Sequence, residues 1–202
     1  MEIKRLGVLA SHHGTTLQAI IDACQAGTLA ATVAVVISNN SRAGAAQRAN
    51  RHAIPFIHLS GQTHPLPAAL DHAISDALKA HDVDLVMLAG YMKKLGPQTL
   101  ARFRGRVLNT HPALLPNFGG QGMYGSRVHE AVLAAGVTTT GVTLHLVEDE
   151  YDTGPTVAQC EVPVHPDDTV ETLALRVQTR ERAFLVETLQ EIIAGHIPLP
   201  AV

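Results

Sequence analysis

Leu6-Gly7-Val8-Leu9-Ala10-Ser11-His12-His13-Gly14-Thr15-Thr16-Leu17 is the stretch that sets the architecture. A short apolar run stops at two histidines and a glycine. Leu17, Ile20, Ile21 and Cys24 then recur at helical spacing. A strand that turns through glycine into a helix is the opening unit of a parallel α/β sheet. The unit repeats along the chain. Residues 32–37 read as a second strand, closed by Ser38-Asn39-Asn40, and 43–51 as a helix. Ile54-Pro55-Phe56-Ile57 reads as a short strand, 67–81 as a helix carrying Leu70, Ile74 and Leu78, and 85–89 as a wholly apolar strand. A short helix at 99–103 leads to a strand beginning Val107-Leu108.

Such alternation implies parallel pairing through right-handed crossovers, with ligands beyond the carboxyl ends of the strands. Three loops fall on that edge: 12–16, 91–95 and 109–112. The second half changes character. Residues 140–147 alternate Thr143 and His145 with Leu144 and Leu146, and 155–162 form another strand candidate, so the two predict an antiparallel hairpin. Residues 169–194 place Leu173, Val177, Phe184, Leu185, Leu189 and Ile192 on one stripe of a long helix. The expected fold is Rossmann-like α/β: a mostly parallel central sheet with helices on both faces, an antiparallel C-terminal hairpin and a long C-terminal helix. Residues 117–125 form a Gly-rich loop, the one long connection.

A chain of 202 residues with 46% apolar content suffices for one buried core, built from Ala, Val, Leu and Ile because aromatics are only 3%. A net charge of −3 argues against general nucleic-acid binding, which needs a basic face. Cys24 and Cys160 lack metal-ligand spacing and read as two buried thiols of a reduced, cytoplasmic protein. The 12 histidines are scattered, which predicts no metal site. Residues 1–6 run directly into the first strand without a long apolar segment, and no stretch approaches the ~20 residues needed to span a bilayer.

Val107-Leu108-Asn109-Thr110-His111-Pro112 carries the clearest chemistry. On a strand, Asn109 and His111 project the same way. An amide donor and an imidazole then aim at one point, and Asp152 of Glu150-Tyr151-Asp152-Thr153-Gly154-Pro155 completes a set suited to acyl transfer. From spacing alone, a strand end and an ordinary turn explain the two segments as well. The Gly14 loop offers close backbone approach and a helix start, the ingredients of a phosphate site through Gly14, Thr15 and Thr16. Thr15 and Gln18 also fit a capping box, a purely structural alternative. No GxGxxG occurs, and no acidic residue ends the second strand, which disfavours a dinucleotide. Tyr91-Met92-Lys93-Lys94-Leu95 fits a solvated loop. Gln178 and Glu181 share a helix face, and pattern alone makes them an exposed flank. His129 and His145 read as satisfied structural histidines, and His13 as a weak candidate for a phosphate edge.

Asn109-x-His111-Pro112-x-Leu114-Leu115-Pro116, together with Gly141-Val142-Thr143 through Asp149-Glu150-Tyr151-Asp152-Thr153-Gly154, resembles the paired signatures of the folate-dependent formyltransferases. The likeness spans residues 8–194, and the pairing is far more specific than either segment alone. It implies a single formyltransferase domain over 1–202, with a phosphate-binding half at 1–100 and a catalytic and folate-binding half at 101–202. It implies transfer of a formyl group from 10-formyltetrahydrofolate to the amine of glycinamide ribonucleotide, with no metal, because the donor is already activated. Asn109, His111 and Asp152 take the catalytic places, with protonated His111 favoured by the charge of Asp152. Gly14, Thr15, Thr16, Gln178 and Glu181 take the ribonucleotide. Met92, Lys93, Lys94, Leu95, Leu108, Asn109, Val147, Glu148 and Asp149 take the folate. The chain departs from the pattern at Thr16 (Asn is common), Lys93 (Arg) and Lys94 (an apolar residue). The resemblance implies small-molecule partners, neither nucleic acid nor membrane, and leaves a homodimer open. Two rivals stay on the page: a deformylase with water as acceptor, which usually carries a further N-terminal domain, and a non-catalytic phosphate-binding module.

Overall fold

The structure is a computed structural model that describes residues 3–200, so Met1 and Glu2 of the N-terminal reading lie outside the described residues. The elements run β1 (Arg5–Leu9), α1 (Thr15–Gln25), β2 (Thr32–Ser38), α2 (Gly44–Arg51), β3 (Phe56–His58), α3 (Pro67–Ala80), β4 (Leu85–Leu88), α4 (Pro97–Arg102), β5 (Val107–His111), α5 (Ser126–Ala134), β6 (Thr139–Leu146), β7 (Thr156–Pro163) and α6 (Val170–Ile193). One seven-stranded sheet has the order β3-β2-β1-β4-β5-β6-β7. The first five strands in that order pair in parallel, and β5–β6 and β6–β7 pair antiparallel. This is the expected fold, with the expected hairpin at one edge.

Side-chain alternation along the strands feeds two cores. Leu6, Val8, Leu85, Met87 and Leu108 pack with α1, α2, α5 and α6. Leu9, Val86, Leu88 and Val107 pack with α3 and α4. β6 is buried on both faces, so its alternation separates two interiors rather than core from solvent. α6 is the longest helix. Its start is set by a capping box in which Thr169 and Thr172 each accept the other's N–H. Its buried stripe includes Leu173, Val177, Leu185 and Leu189, each worth roughly 1.5–3 kcal/mol of apolar transfer.

Two readings need correction here. The start of α1 is not a capping box: Gly14 is the N-cap, at φ 69°, and no side chain caps the helix. Gln18 instead donates to Asp22 and accepts from Arg48. The two thiols are half-buried rather than fully buried. Buried Asp71 of α3 is a link that periodicity did not reveal. It accepts from the N–H groups of Gln98 and Thr99 and from the Thr99 hydroxyl, and so caps α4 and pins the far end of the 91–95 loop. The near end is held by Ser11, whose Oγ accepts from Met92 N at 2.8 Å.

Candidate active site

β5 continues past the end of β4, whose Leu88 pairs with Asn109. Leu108 and Thr110 face the α1/α6 side, and Asn109 and His111 face the other side, in phase as expected. The antiparallel partner places His145 opposite Asn109 and Thr143 opposite His111. Four polar side chains therefore share one patch of sheet. Thr143 supports the chain beyond β5: its hydroxyl donates to Ala113 O at 2.7 Å and accepts from Leu115 N at 3.0 Å.

The connection between β6 and β7 folds back over this patch and delivers Asp152. Gly154 makes that return possible, because a Cβ there would overlap the carbonyl of Leu146. Asp152 itself sits in the left-handed region at φ 57°. Its Oδ2 lies 3.5 Å from His111 Nδ1 and its Oδ1 lies 3.5 Å from His145 Nε2. Gly120 N donates to Oδ2 at 2.9 Å. The structure thus brings together all three expected catalytic residues and adds His145, which is buried and satisfied as expected but also belongs to the cluster.

The proton positions follow from the partners. His111 Nε2 is 2.7 Å from the Phe118 carbonyl, which only accepts, so Nε2 carries a hydrogen. Nδ1 then faces the carboxylate. His145 Nδ1 is 2.8 Å from Leu146 O and carries a hydrogen for the same reason. Its Nε2 sits 3.1 Å from the Asn109 amide nitrogen, from which it accepts when bare. The same Nε2 also lies 3.5 Å from Asp152 Oδ1.

Burial disfavours charge on Asp152, but hydrogen bonds from His145 and Gly120, with the nearby His111, hold its carboxyl below the ordinary range. Asp152 is therefore ionised. For His111 the balance reverses the expectation. The residue is 3% exposed, and burial lowers its pKa by more than Asp152 and the Phe118 carbonyl raise it. His111 is a neutral N–H donor here, not an imidazolium. His129 on α5 is also pushed down by burial, then by His111, and its Nδ1 has no partner among the described residues, so it is not the satisfied histidine expected.

Both shifts predict a pH dependence of stability. A histidine with a lowered folded pKa lets the unfolded chain bind protons that the folded chain refuses. Stability is then full above about pH 6.5 and is lost as pH falls below it, each such histidine steepening the fall by up to about 1.4 kcal/mol per pH unit. Calorimetry from pH 8 to 5 should show this decline, and His129→Gln should flatten it. Slopes identical to the parent in both His129→Gln and His111→Asn would contradict the account.

The other expected positions divide. Met92, Lys93 and Lys94 are exposed and Leu95 is buried, so the loop is solvated only in part. Lys94 reaches across to the connection carrying Asp152, with Nζ 3.8 Å from Glu150 and 5.8 Å from the Tyr151 ring centre. Val147 packs against the α3/α4 core, and Glu148 and Asp149 are exposed. Leu108 has no exposed surface and backs the site from the core, so its side chain does not line the cleft. Gly14, Thr15 and Thr16 lie at the start of α1. Gln178 is exposed. Glu181 is not a free flank: its Oε1 accepts from Thr110 Oγ1 at 2.6 Å, one residue from His111. Burial raises its pKa. A cavity of about 600 Å³ opens beside Tyr91, Lys93 and Lys94 near Asn39, His58 and Ser60. None of Asn109, His111 and Asp152 lines it.

Residues 4–189 match the family model described as formyl transferase. The chain belongs to the formyl transferase family. A phosphoribosylglycinamide formyltransferase of Mycobacterium tuberculosis is 47% identical over 182 residues, covering 90% of this chain and 81% of that one. The crystal structure of glycinamide ribonucleotide transformylase 1 from Symbiobacterium toebii superposes with a TM-score of 0.91 at 38% identity, over 98% of this chain and 92% of the other. A formyltetrahydrofolate deformylase structure from Pseudomonas syringae also superposes, with a TM-score of 0.84 at 27% identity, over 96% of this chain but 62% of that one. The chain also spans 62% of a chloroplastic phosphoribosylglycinamide formyltransferase from Vigna unguiculata. This formyl transferase has no helix, among its described residues, long and apolar enough to cross a membrane.

Proposed function

We propose that the protein transfers the formyl group of 10-formyltetrahydrofolate to the amine of glycinamide ribonucleotide, in the cytoplasm. The observation that carries this reading is the convergence of Asn109 and His111 at the end of β5 with the ionised Asp152 behind them. The substrate amine attacks the formyl carbon, a C–N bond forms, and negative charge collects on the formyl oxygen. Asn109 Nδ2 and the Nε2–H of His111 donate to that oxygen, a role a neutral imidazole performs as well. In the free protein the Phe118 carbonyl holds that N–H, so substrate takes the place of Phe118. The attacking nitrogen gives up a proton that passes through water to Nδ1 of His111, where Asp152 stabilises the cation formed, and the folate nitrogen leaves as the proton is delivered to it.

The Gly14 loop holds the ribonucleotide phosphate, and Glu181 receives the end of the substrate near the reacting amine, with Gln178 on the same helix face. The pterin lies between the 91–95 loop and residues 147–149, and Lys93 and Lys94 face the anionic end of the folate. On this reading residues 1–100 supply the phosphate site and residues 101–202 the catalytic groups, with the folate cleft shared between them.

Comparing formyl transfer to glycinamide ribonucleotide with formyl hydrolysis by water tests the function. Turnover that requires the amine supports it, whereas equal turnover with water alone would make the protein a hydrolase. Gly14→Ala gives a second check. Its Cβ would stand 2.9 Å from the Ala45 Cα, at φ 69°. The KM for the ribonucleotide should rise tenfold or more, with folate affinity unchanged, and Tm should fall a few degrees. Equal damage to both affinities would move the phosphate site elsewhere.

A further inference from the structure

The 12–16 loop owes its shape to α2 as well as to its own glycine. Gly14 and Gly44 interlock: a Cβ on Gly14 would meet the Ala45 backbone, and a Cβ on Gly44 would meet His13 O at 2.7 Å. Across this contact Ala45 N donates to His12 O at 3.2 Å, and Arg48 Nε donates to His13 O at 2.9 Å. Arg48 Nη1 also donates to Gln18 Oε1 at 2.9 Å, one turn into α1. In a trans peptide the carbonyl and the following N–H point in opposite directions. Fixing the carbonyls of His12 and His13 towards α2 therefore turns the N–H groups of His13 and Gly14 away from it. The N–H groups of Gly14, Thr15 and Thr16 donate to no protein acceptor among the described residues.

We propose that Arg48 is a positioning residue for phosphate recognition: one guanidinium ties the loop carbonyls and the first turn of α1 together, keeps the free N–H groups aimed at the ligand, and sets a fixed positive charge behind them. This rests on reading the Gly14 loop as the phosphate site. A dianion gains from both effects, since oriented N–H groups and a nearby cation act on the same charge. Lys at this position keeps the charge but lacks the planar fork that spans two partners at fixed angles.

The experiment is steady-state kinetics of the full chain with Arg48→Lys, Arg48→Gln and Gln18→Leu, using glycinamide ribonucleotide and the phosphate-free glycinamide riboside. Binding of a 5-deazatetrahydrofolate analogue is followed alongside. Charge-assisted hydrogen bonds of this kind correspond to roughly tenfold to a hundredfold in affinity. Arg48→Gln should raise the KM for the ribonucleotide by that factor, leave kcat within about twofold, leave the folate analogue's Kd unchanged and not alter the KM for the riboside. Arg48→Lys should fall between Gln and the parent, and Gln18→Leu, which keeps the charge, should have the smallest effect. Should Arg48→Gln not fold, Arg48→Lys carries the same test. A parent that prefers the ribonucleotide strongly, with unchanged KM in both Arg48 variants, overturns the proposal and leaves the phosphate site standing. Losses shared equally by kcat, folate affinity and the riboside make Arg48 a general structural brace and also overturn it. A parent that does not distinguish ribonucleotide from riboside removes the phosphate reading itself.

Discussion

His111→Ala should lower kcat for formyl transfer by about a thousandfold while moving Tm by no more than a few degrees near pH 8. Loss of one donor to a developing oxyanion costs roughly 10²–10³ in rate. Loss of the group that accepts the amine proton adds to that. The stability side is small because the buried imidazole is only partly a stabilising element. Its Nε2–H satisfies Phe118 O, a bond worth on the order of 1 kcal/mol net, and the ring fills space beside Asp152. The acid penalty described above is absent near pH 8, and removal of the ring lifts it only below about pH 6.5. Retained specific activity in a strongly destabilised His111→Ala protein would make the residue structural and the mechanism wrong.

Asp152→Asn should reduce kcat by a factor on the order of 10²–10⁴, consistent with loss of the group that stabilises a catalytic imidazolium. The substitution isolates charge. Asn tolerates the left-handed conformation at φ 57°, and its carbonyl can still accept from Gly120 N. Folding should therefore survive. The pKa of His111 lies below 6.5 in the parent, and Asp152 opposes that depression, so the variant should titrate lower still in an NMR experiment. If activity falls while the His111 titration stays put, the carboxylate works by relaying or positioning a proton and the electrostatic account fails.

The elements were legible because their cues are local. The apolar stripe of α6 and the β-type run at 85–88 are periodic over enough residues to leave little choice. The phase of Asn109 with His111 is likewise a property of one strand. What escaped depends on neighbours distant in sequence. Glu181 was expected on an exposed flank because nothing in its own helix announces Thr110, 71 residues away. His145 was expected to be merely structural because its place opposite Asn109 exists only once β5 and β6 pair. The depth of burial at His111 also comes from assembly: a neighbouring acid can be read from a motif, whereas the desolvation that outweighs it cannot. The apparent cap at Thr15 failed for a related reason, since α2 packs against the loop and glycine takes the capping place.

The groups of the candidate site differ in how they are anchored. Asn109, His111 and His145 stand on strands paired inside a seven-stranded sheet, so they separate only when the sheet itself opens. Asp152, Gly120 and Phe118 stand on connecting segments held to those strands by a few polar contacts. Local opening of such segments requires less free energy than global unfolding. Amide hydrogen exchange should therefore divide the centre in two, with slow exchange at 108–110 and 142–146 and fast exchange at 118–120 and 150–153. On gentle warming the protein would reach a regime in which its scaffold is intact and the groups proposed to handle protons are already apart.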